Sequence, residues 1–352
     1  MTRRSVASVG VLVLLIVLVV VAGLVRVPYV VLSPGPTINV LKPTGAGSQI
    51  LSVQGHKVYP DKGQLRLVTV RQTSPDTRVN IAIALFAWLD QTRALFPRDV
   101  VYPPDQSVKQ VQRQSSVEMV SSQDTATAAA LTELGYHYTL YTEVLGVGQG
   151  APADGVLKVH DRIVAVNGVR IHDIRRVTKA VQKSGVGGKV HFTVRRNGRT
   201  RHLTVKTTAA PGHPKHAIVG ITIGPGYTFP FDVQVKLADD IGGPSAGLIF
   251  SLGIYDRLTP GALTGGRTIA GTGTITAKGK VGPIGGIQQK IVAAADAGAT
   301  LFLVPPANCK EALGADVPSD KIRLAKAPSM QSAIHTIKTY AAHPSAPLPS
   351  CS

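Results

Sequence analysis

Cysteine is nearly absent from this sequence, with two residues in 352, Cys309 and Cys351. Neither sits in a CxxC pair or a Cys/His cluster, so a structural metal site has no support and none is expected. A disulfide between them and a pair of free thiols both fit, since Cys351 lies in a Pro-rich stretch. Aromatic residues are scarce too, at 5% with a single Trp, so the cores must come mostly from Val, Leu, Ile and Ala. Acidic residues number 20 against 38 Lys and Arg, a net charge of +18. That imbalance favours an anionic partner such as lipid, an envelope polymer or nucleic acid. Recognition-helix patterns, zinc-finger spacings and aromatic-rich RNA motifs are all missing, so nucleic acid is not expected. A phosphate-binding G-x-x-x-x-G-K-[ST] loop is missing as well. Gly188-Lys189 and Gly279-Lys280 are both followed by Val and read as plain turns, so no nucleotide or other cofactor is expected.

What the sequence does have is one long apolar run. Val6 to Val25 is uncharged over 20 residues, the length needed to cross a hydrocarbon core of about 30 Å. Arg3 and Arg4 precede it and only Arg26 follows closely. The positive-inside bias then puts residues 1–5 in the cytoplasm, 6–25 in the membrane and the rest outside. A cleaved signal peptide is the competing reading, but Ala22-Gly23-Leu24 is a poor cleavage site.

Beyond the run, residues 28–137 form an extracytoplasmic N-terminal region expected to pack with a later domain. Pro28–Asn39 reads as an extended tether, Leu65–Val70 as a strand, Ile81–Leu95 as a helix whose Trp88 is expected in the core, with membrane-proximal anchoring as the alternative, and Asp124–Leu134 as an Ala-rich helix. From Tyr138 to about residue 210 short β-like runs recur, with Asn197-Gly198 as a hairpin turn between two of them. Residues 154–215 hold 14 Lys and Arg against three Asp, either a solvated face or a surface for acidic headgroups. Residues 217–340 read as an α/β domain with Gly-rich turns, and 341–352 as a disordered tail.

Two motifs carry chemistry. In Gly243-Pro244-Ser245-Ala246-Gly247 the small residues permit close backbone approach, and Pro244 suits a helix start. Ser245 at a helix N-terminus has free N–H groups near it that can stabilise an oxyanion. Alone, this run also fits the G-x-S-x-G elbow of α/β-hydrolases, which needs a later acid and His. The only later histidines are His335 and His343, and His335 reads as a surface residue of a terminal helix. The second motif runs from Gly279 through Gly282-Pro283-Ile284-Gly285-Gly286 to Lys290. A helix over Ile287–Ala297 puts Ile287, Ile291 and Ala294 on one buried stripe, and Lys290 on the same side. Burial lowers an amine's pKa, and a neutral lysine can take a proton from a serine hydroxyl. A lysine that snorkels to the surface is the bland alternative.

The run Gly150–Ile171, with Ala151–Leu157, Asp161 and the Val166-Asn167-Gly168 turn, resembles a PDZ domain. That resemblance implies a mostly-β module over 138–210 that takes an extended peptide by strand addition, with its carboxylate loop expected near Tyr138–Tyr141. The two later motifs together, with Thr272-Gly273 and Leu301–Pro305, resemble the proteolytic domain of Lon proteases. That resemblance implies an α+β domain with Ser245 as nucleophile, Lys290 as general base and Thr272 supporting the lysine. The backbone N–H groups of Gly242 and Ser245 would form the oxyanion hole. It also suggests a homo-oligomer, a hexamer in the family. Gly242 and Thr274 stand where acidic residues are common, with Asp239-Asp240 slightly earlier. Anchor, PDZ-like and Lon-type segments in this order look like membrane-bound PDZ–Lon proteins: ATP-independent Ser/Lys endopeptidases acting on envelope or secreted proteins. A non-catalytic PDZ-like scaffold and an elbow-type esterase are the alternatives.

Overall fold

The computed structural model describes residues 3–43, 47, 49–74, 77–102, 108–237 and 241–351, with the side chains of 3–7 and 109 outside that set. Helix α1 (Arg3–Leu24) carries the apolar run, and its Val and Leu side chains from Val9 onward are exposed. Among the described residues no helix is long and apolar enough to cross a membrane. The expected transmembrane span over 6–25 is therefore not supported by a spanning helix. The side chains of residues 6 and 7, where it was to begin, lie outside the described set, as do those of the expected tip, 1–5.

One mixed sheet organises most of the rest. The N-terminal region supplies β1 (Tyr29–Asn39), β2 (Leu51–Gln54), β3 (Gln64–Gln72), α2 (Ile81–Leu89), β4 (Ala94–Pro97) and α3 (Arg98–Val101). The stretch expected to be a tether is thus a strand, paired on both sides with β3 and β4. The helix expected to reach Leu95 stops at Leu89, because Asp90 accepts hydrogen bonds from the Thr92 N–H and hydroxyl and closes a turn. Trp88, expected in the core, is 73% exposed.

Helix α4 (Val108–Glu133) leads from this region into a β module, starting well before the expected Asp124. The module holds β5 (Thr139–Val147), β6 (Arg162–Val166), β7 (Val169–Arg170), α5 (Ile174–Lys183), β8 (Lys189–Arg196) and β9 (Arg199–Lys206). The short pair β10 (Thr208–Ala210) and β11 (His213–Ile218) follows, then β12 (Ile221–Thr228). Strand order is β12-β5-β6-β8-β9, with β7 on β6. The Asn197-Gly198 turn closes the β8–β9 hairpin with both residues at positive φ. Asp161, fully buried, receives two hydrogen bonds from the Arg196 guanidinium, each 2.6 Å. The β12 strand belongs to this sheet, so the module runs past the expected boundary at 210. Strand pairing between residues some 80 positions apart leaves no local signal.

After β13 (Asp232–Val235), which pairs with β2, come α6 (Gly247–Leu258), β14 (Thr268–Gly271), β15 (Thr274–Ile275), β16 (Val281–Gly282) and α7 (Ile287–Asp296). Then follow β17 (Leu301–Val304), α8 (Cys309–Ala312), β18 (Arg323–Lys326) and α9 (Met330–Ala342). The large sheet has the order β18-β17-β14-β3-β1-β4. Its centre joins the two ends of the chain, since β3 pairs in parallel with β14. Leu65 and Leu67 of β3 share one core with Met119 of α4, Leu248 and Leu252 of α6, and Leu303 of β17.

The tail is not disordered up to residue 351. The Arg323 guanidinium donates to the carbonyls of Pro344 and Ala346, and the Lys326 N–H donates to the Pro349 carbonyl at 2.8 Å. Cys351 is disulfide-bonded to Cys309, which settles the pairing left open by the sequence.

Candidate active site

Ser245 sits in the turn just ahead of α6, and its backbone is held from two sides. From α4, the Ser115 carbonyl accepts the Gly243 N–H at 3.0 Å and the Ser122 hydroxyl donates to the Pro244 carbonyl at 3.0 Å. From the strand side, the Gly273 N–H (2.8 Å) and the Thr272 hydroxyl (3.0 Å) both donate to the Ser245 carbonyl. Small residues are needed here. A Cβ on Gly242 would collide with the Ser115 side chain, and one on Gly247 would lie 2.9 Å from Ile275 Cγ2.

Lys290 approaches from α7. This helix starts at Gly286, whose φ of +68° suits glycine and whose absent Cβ would stand 2.8 Å from Val70 Cγ1. The preceding loop is clasped by Asn308, which accepts the Ile284 N–H at 3.0 Å and donates to the Ile284 carbonyl at 2.8 Å. Ile287, Ile291 and Ala294 are buried as the helical stripe predicts, and Lys290 is 3% exposed among them. Its Nζ lies 3.0 Å from Ser245 Oγ and 3.3 Å from Thr272 Oγ1. Burial pushes its pKa down to about 8, against a smaller opposing pull from the Glu311 carboxylate. An amine so placed spends a usable fraction of its time neutral near physiological pH and touches a hydroxyl it can deprotonate.

The Ser245 and Lys290 side chains open on a cleft of about 370 Å³, walled by Leu67, Val68 and Val70 of β3 with Pro36, Met119 and Ile241. Pairing of β3 with β14 ends at Leu67, so among the described residues the edge of Val68–Gln72 on that side has no strand partner. Among the described residues the N–H groups of Gly242 and Ser245 likewise have no acceptor, whereas that of Gly243 is taken. His335 is exposed on α9 and does not line the cleft. The elbow arrangement is therefore not assembled. Asp239 and Asp240 lie outside the described residues, and Thr274 pairs in β15 with Gly282.

The sequence missed the supports of this site. Ser115 and Ser122 sit on a helix more than 120 residues before Ser245. The β3 wall is equally remote. Glu311 carries no local signal either. At the expected peptide loop, Thr139–Tyr141 of β5 pair with β12 on one side, while pairing with β6 covers only Thr142 and Glu143. The outer strands of that sheet are β12 and β9.

Residues 237–338 match the family described as Lon protease (S16) C-terminal proteolytic domain, and residues 116–207 match PDZ domains. Fold and site thus define a serine-peptidase domain of the S16 class. Together with the PDZ match ahead of it, it gives the chain the domain combination of PDZ–Lon proteins. Among similar curated proteins, the Lon protease of Azorhizobium caulinodans is 28% identical over 170 residues, covering 47% of this chain and 19% of that protein. Lon protease 1 of Bacillus subtilis is 32% identical over 161 residues, covering 45% and 20%. The chain therefore spans about a fifth of the length of these relatives. Among solved structures, a PDZ domain of an SdrC-like protein from Listeria monocytogenes is 21% identical, with a TM-score of 0.22, covering 24% of this chain and 86% of that one. At that score the likeness carries no argument.

Proposed function

We propose that this chain is an ATP-independent serine endopeptidase that uses Ser245 and Lys290 as a dyad. The observation that carries it is the 3.0 Å approach of Lys290 Nζ to Ser245 Oγ by a lysine that is almost wholly buried. Neutral Lys290 takes the hydroxyl proton as Ser245 Oγ attacks the scissile carbonyl. The N–H groups of Gly242 and Ser245 receive the resulting oxyanion. Lys290 then gives its proton to the leaving amine, and a water deprotonated by Lys290 releases the acyl group. Thr272 holds the lysine towards the serine. An extended substrate would pair with the unpartnered edge of β3, which runs along the cleft. Supply of substrate through strand addition at the β12 edge of the PDZ domain is part of the same proposal.

The expected localisation is outside the cytoplasm, at the membrane. Support comes from the uncharged run behind Arg3 and Arg4, and from the Cys309–Cys351 bond, which suits an oxidising compartment. A hexameric assembly is a proposal that sedimentation analysis tests. For the chemistry, the test is cleavage of an unfolded protein without nucleotide. Ser245→Ala and Lys290→Ala should each abolish it, and ATP should change nothing. Cleavage surviving in both variants sinks the dyad. Failure of the unaltered protein to cleave, with no labelling of Ser245 by a serine-directed electrophile, leaves the scaffold reading instead.

A further inference from the structure

Helix α2 is built inside out. Its sequence, Ile-Ala-Ile-Ala-Leu-Phe-Ala-Trp-Leu, has no polar residue. A helix that is apolar all round belongs in a core or against lipid. Here the protein takes mainly the small side chains. Ala87 is buried and Ala84 packs with it on the cluster of Val27, Val31, Val79 and Leu95. The bulky side chains point away. Phe86 is 72% exposed, and Ile83, Leu85, Trp88 and Leu89 are exposed around it. A contiguous apolar face of this kind marks an interaction surface.

Two neighbouring features say what covers it. The first is α1, whose exposed apolar face continues into this one. The Asn80 amide donates to the Gly23 carbonyl at 3.0 Å and the Ile81 N–H to the Val25 carbonyl at 3.1 Å, so α2 begins where α1 ends. The second is charge. A cleft of about 350 Å³ at this junction is lined by Arg26, Arg78 and Arg98 together with Tyr29. Nearby Asp90 is neutralised by Arg93 at 2.8 Å. Arg26 and Arg78, in the segments that follow α1 and precede α2, suit phosphate headgroups above acyl chains. An exposed Trp on the same helix, Trp88, also fits such a boundary.

We propose that α2 is an in-plane interfacial helix that seats the body of the protein on an anionic bilayer. Ile83, Phe86, Trp88 and Leu89 enter the acyl boundary, and Arg26 and Arg78 meet the phosphates. The seat requires neither peptidase activity nor a membrane-crossing α1.

Trp88 is the only Trp in the chain, so its emission reports α2 alone. The full chain is reconstituted in vesicles of phosphatidylcholine with an equal part of phosphatidylglycerol, with plain or brominated acyl chains. The expected result is blue-shifted emission in plain vesicles and loss of most of it in brominated ones. Phe86→Ser with Leu89→Ser, at sites outside the core, should fold normally and abolish the bromine effect. Arg26→Gln with Arg78→Gln should reduce the preference for phosphatidylglycerol vesicles roughly thirtyfold. Equal emission in plain and brominated vesicles overturns the proposal. So does quenching that follows protein concentration rather than bromine, which means a second copy covers the face.

Discussion

Replacing Lys290 by Met tests the central chemical claim through stability rather than activity. Folding moves the lysine pKa from 10.5 to about 8, because burial disfavours the charged amine. The unfolded chain therefore binds the proton more tightly, and the native state is penalised wherever the unfolded lysine is charged. At 1.36 kcal/mol per unit, the penalty is about 3 kcal/mol below pH 8 and vanishes above pH 10.5. Wild-type stability should gain that amount as pH rises through this window, over and above whatever other groups contribute. Met fills a similar volume without titrating, so Lys290→Met lacks the gain. It also loses contacts to Ser245 and Thr272, worth about 1 kcal/mol each, though Thr272 keeps the Ser245 carbonyl as acceptor. The variant should thus be inactive, about 1 kcal/mol more stable than wild type at pH 7, and about 2 kcal/mol less stable at pH 10.5. Urea unfolding followed by circular dichroism at several pH values reads the difference. A difference that stays constant with pH means that Lys290 has an ordinary pKa, and the case for a poised base fails.

The same pKa sets the rate profile: kcat/KM on an unfolded protein should rise about tenfold per pH unit below 8 and level off above it. A flat profile from pH 6 to pH 9, measured with a fluorescent casein, contradicts that. Gly242→Ala places a methyl against the Ser115 side chain and should lower kcat by about 10²-fold by displacing the proposed oxyanion donor. Ser115→Gly in the same chain should recover part of the loss, and no recovery means that the clash is not the cause. Cys351→Ser should cost about 4 kcal/mol, the loop-closure entropy of a bridge spanning 42 residues, with urea midpoints in oxidised and reduced samples as the check. Asp161→Asn leaves Arg196 without its buried carboxylate. The PDZ domain should lose about 3 kcal/mol, visible in amide exchange, while labelling of Ser245 is unchanged.

The site was legible wherever chemistry is written locally. Spacing and burial logic singled out Ser245 in its run of small residues and Lys290 on a helical stripe with Ile287 and Ile291, the family resemblance joined them, and their side chains lie 3.0 Å apart. Thr272 was placed through family resemblance, and its hydroxyl does reach Lys290. What could not be read depends on contacts between distant segments. No local pattern says that α4 grips the serine loop, that β12 completes the PDZ sheet, or that Pro28–Asn39 is a paired strand rather than a tether. Trp88 had two readings, core or membrane-proximal, and its exposure removes the first. Apolarity signals removal from water but does not say whether protein or another phase removes it.

Strand β3 at the centre of the large sheet has a consequence for how the chain is assembled. Gln64–Leu67 is made early but must wait for Thr268–Gly271, roughly 200 residues later, before its inner edge is satisfied. The sheet that carries the S16 match is thus assembled from segments on both sides of the PDZ match. Closing so long a loop is slow and leaves an open edge exposed to wrong partners. If the PDZ domain folds first, its entering helix and leaving strand come together, since α4 packs on β12, and most of that loop is already spanned. The module between the two halves would then act during synthesis as a built-in folding clamp for the enzyme around it.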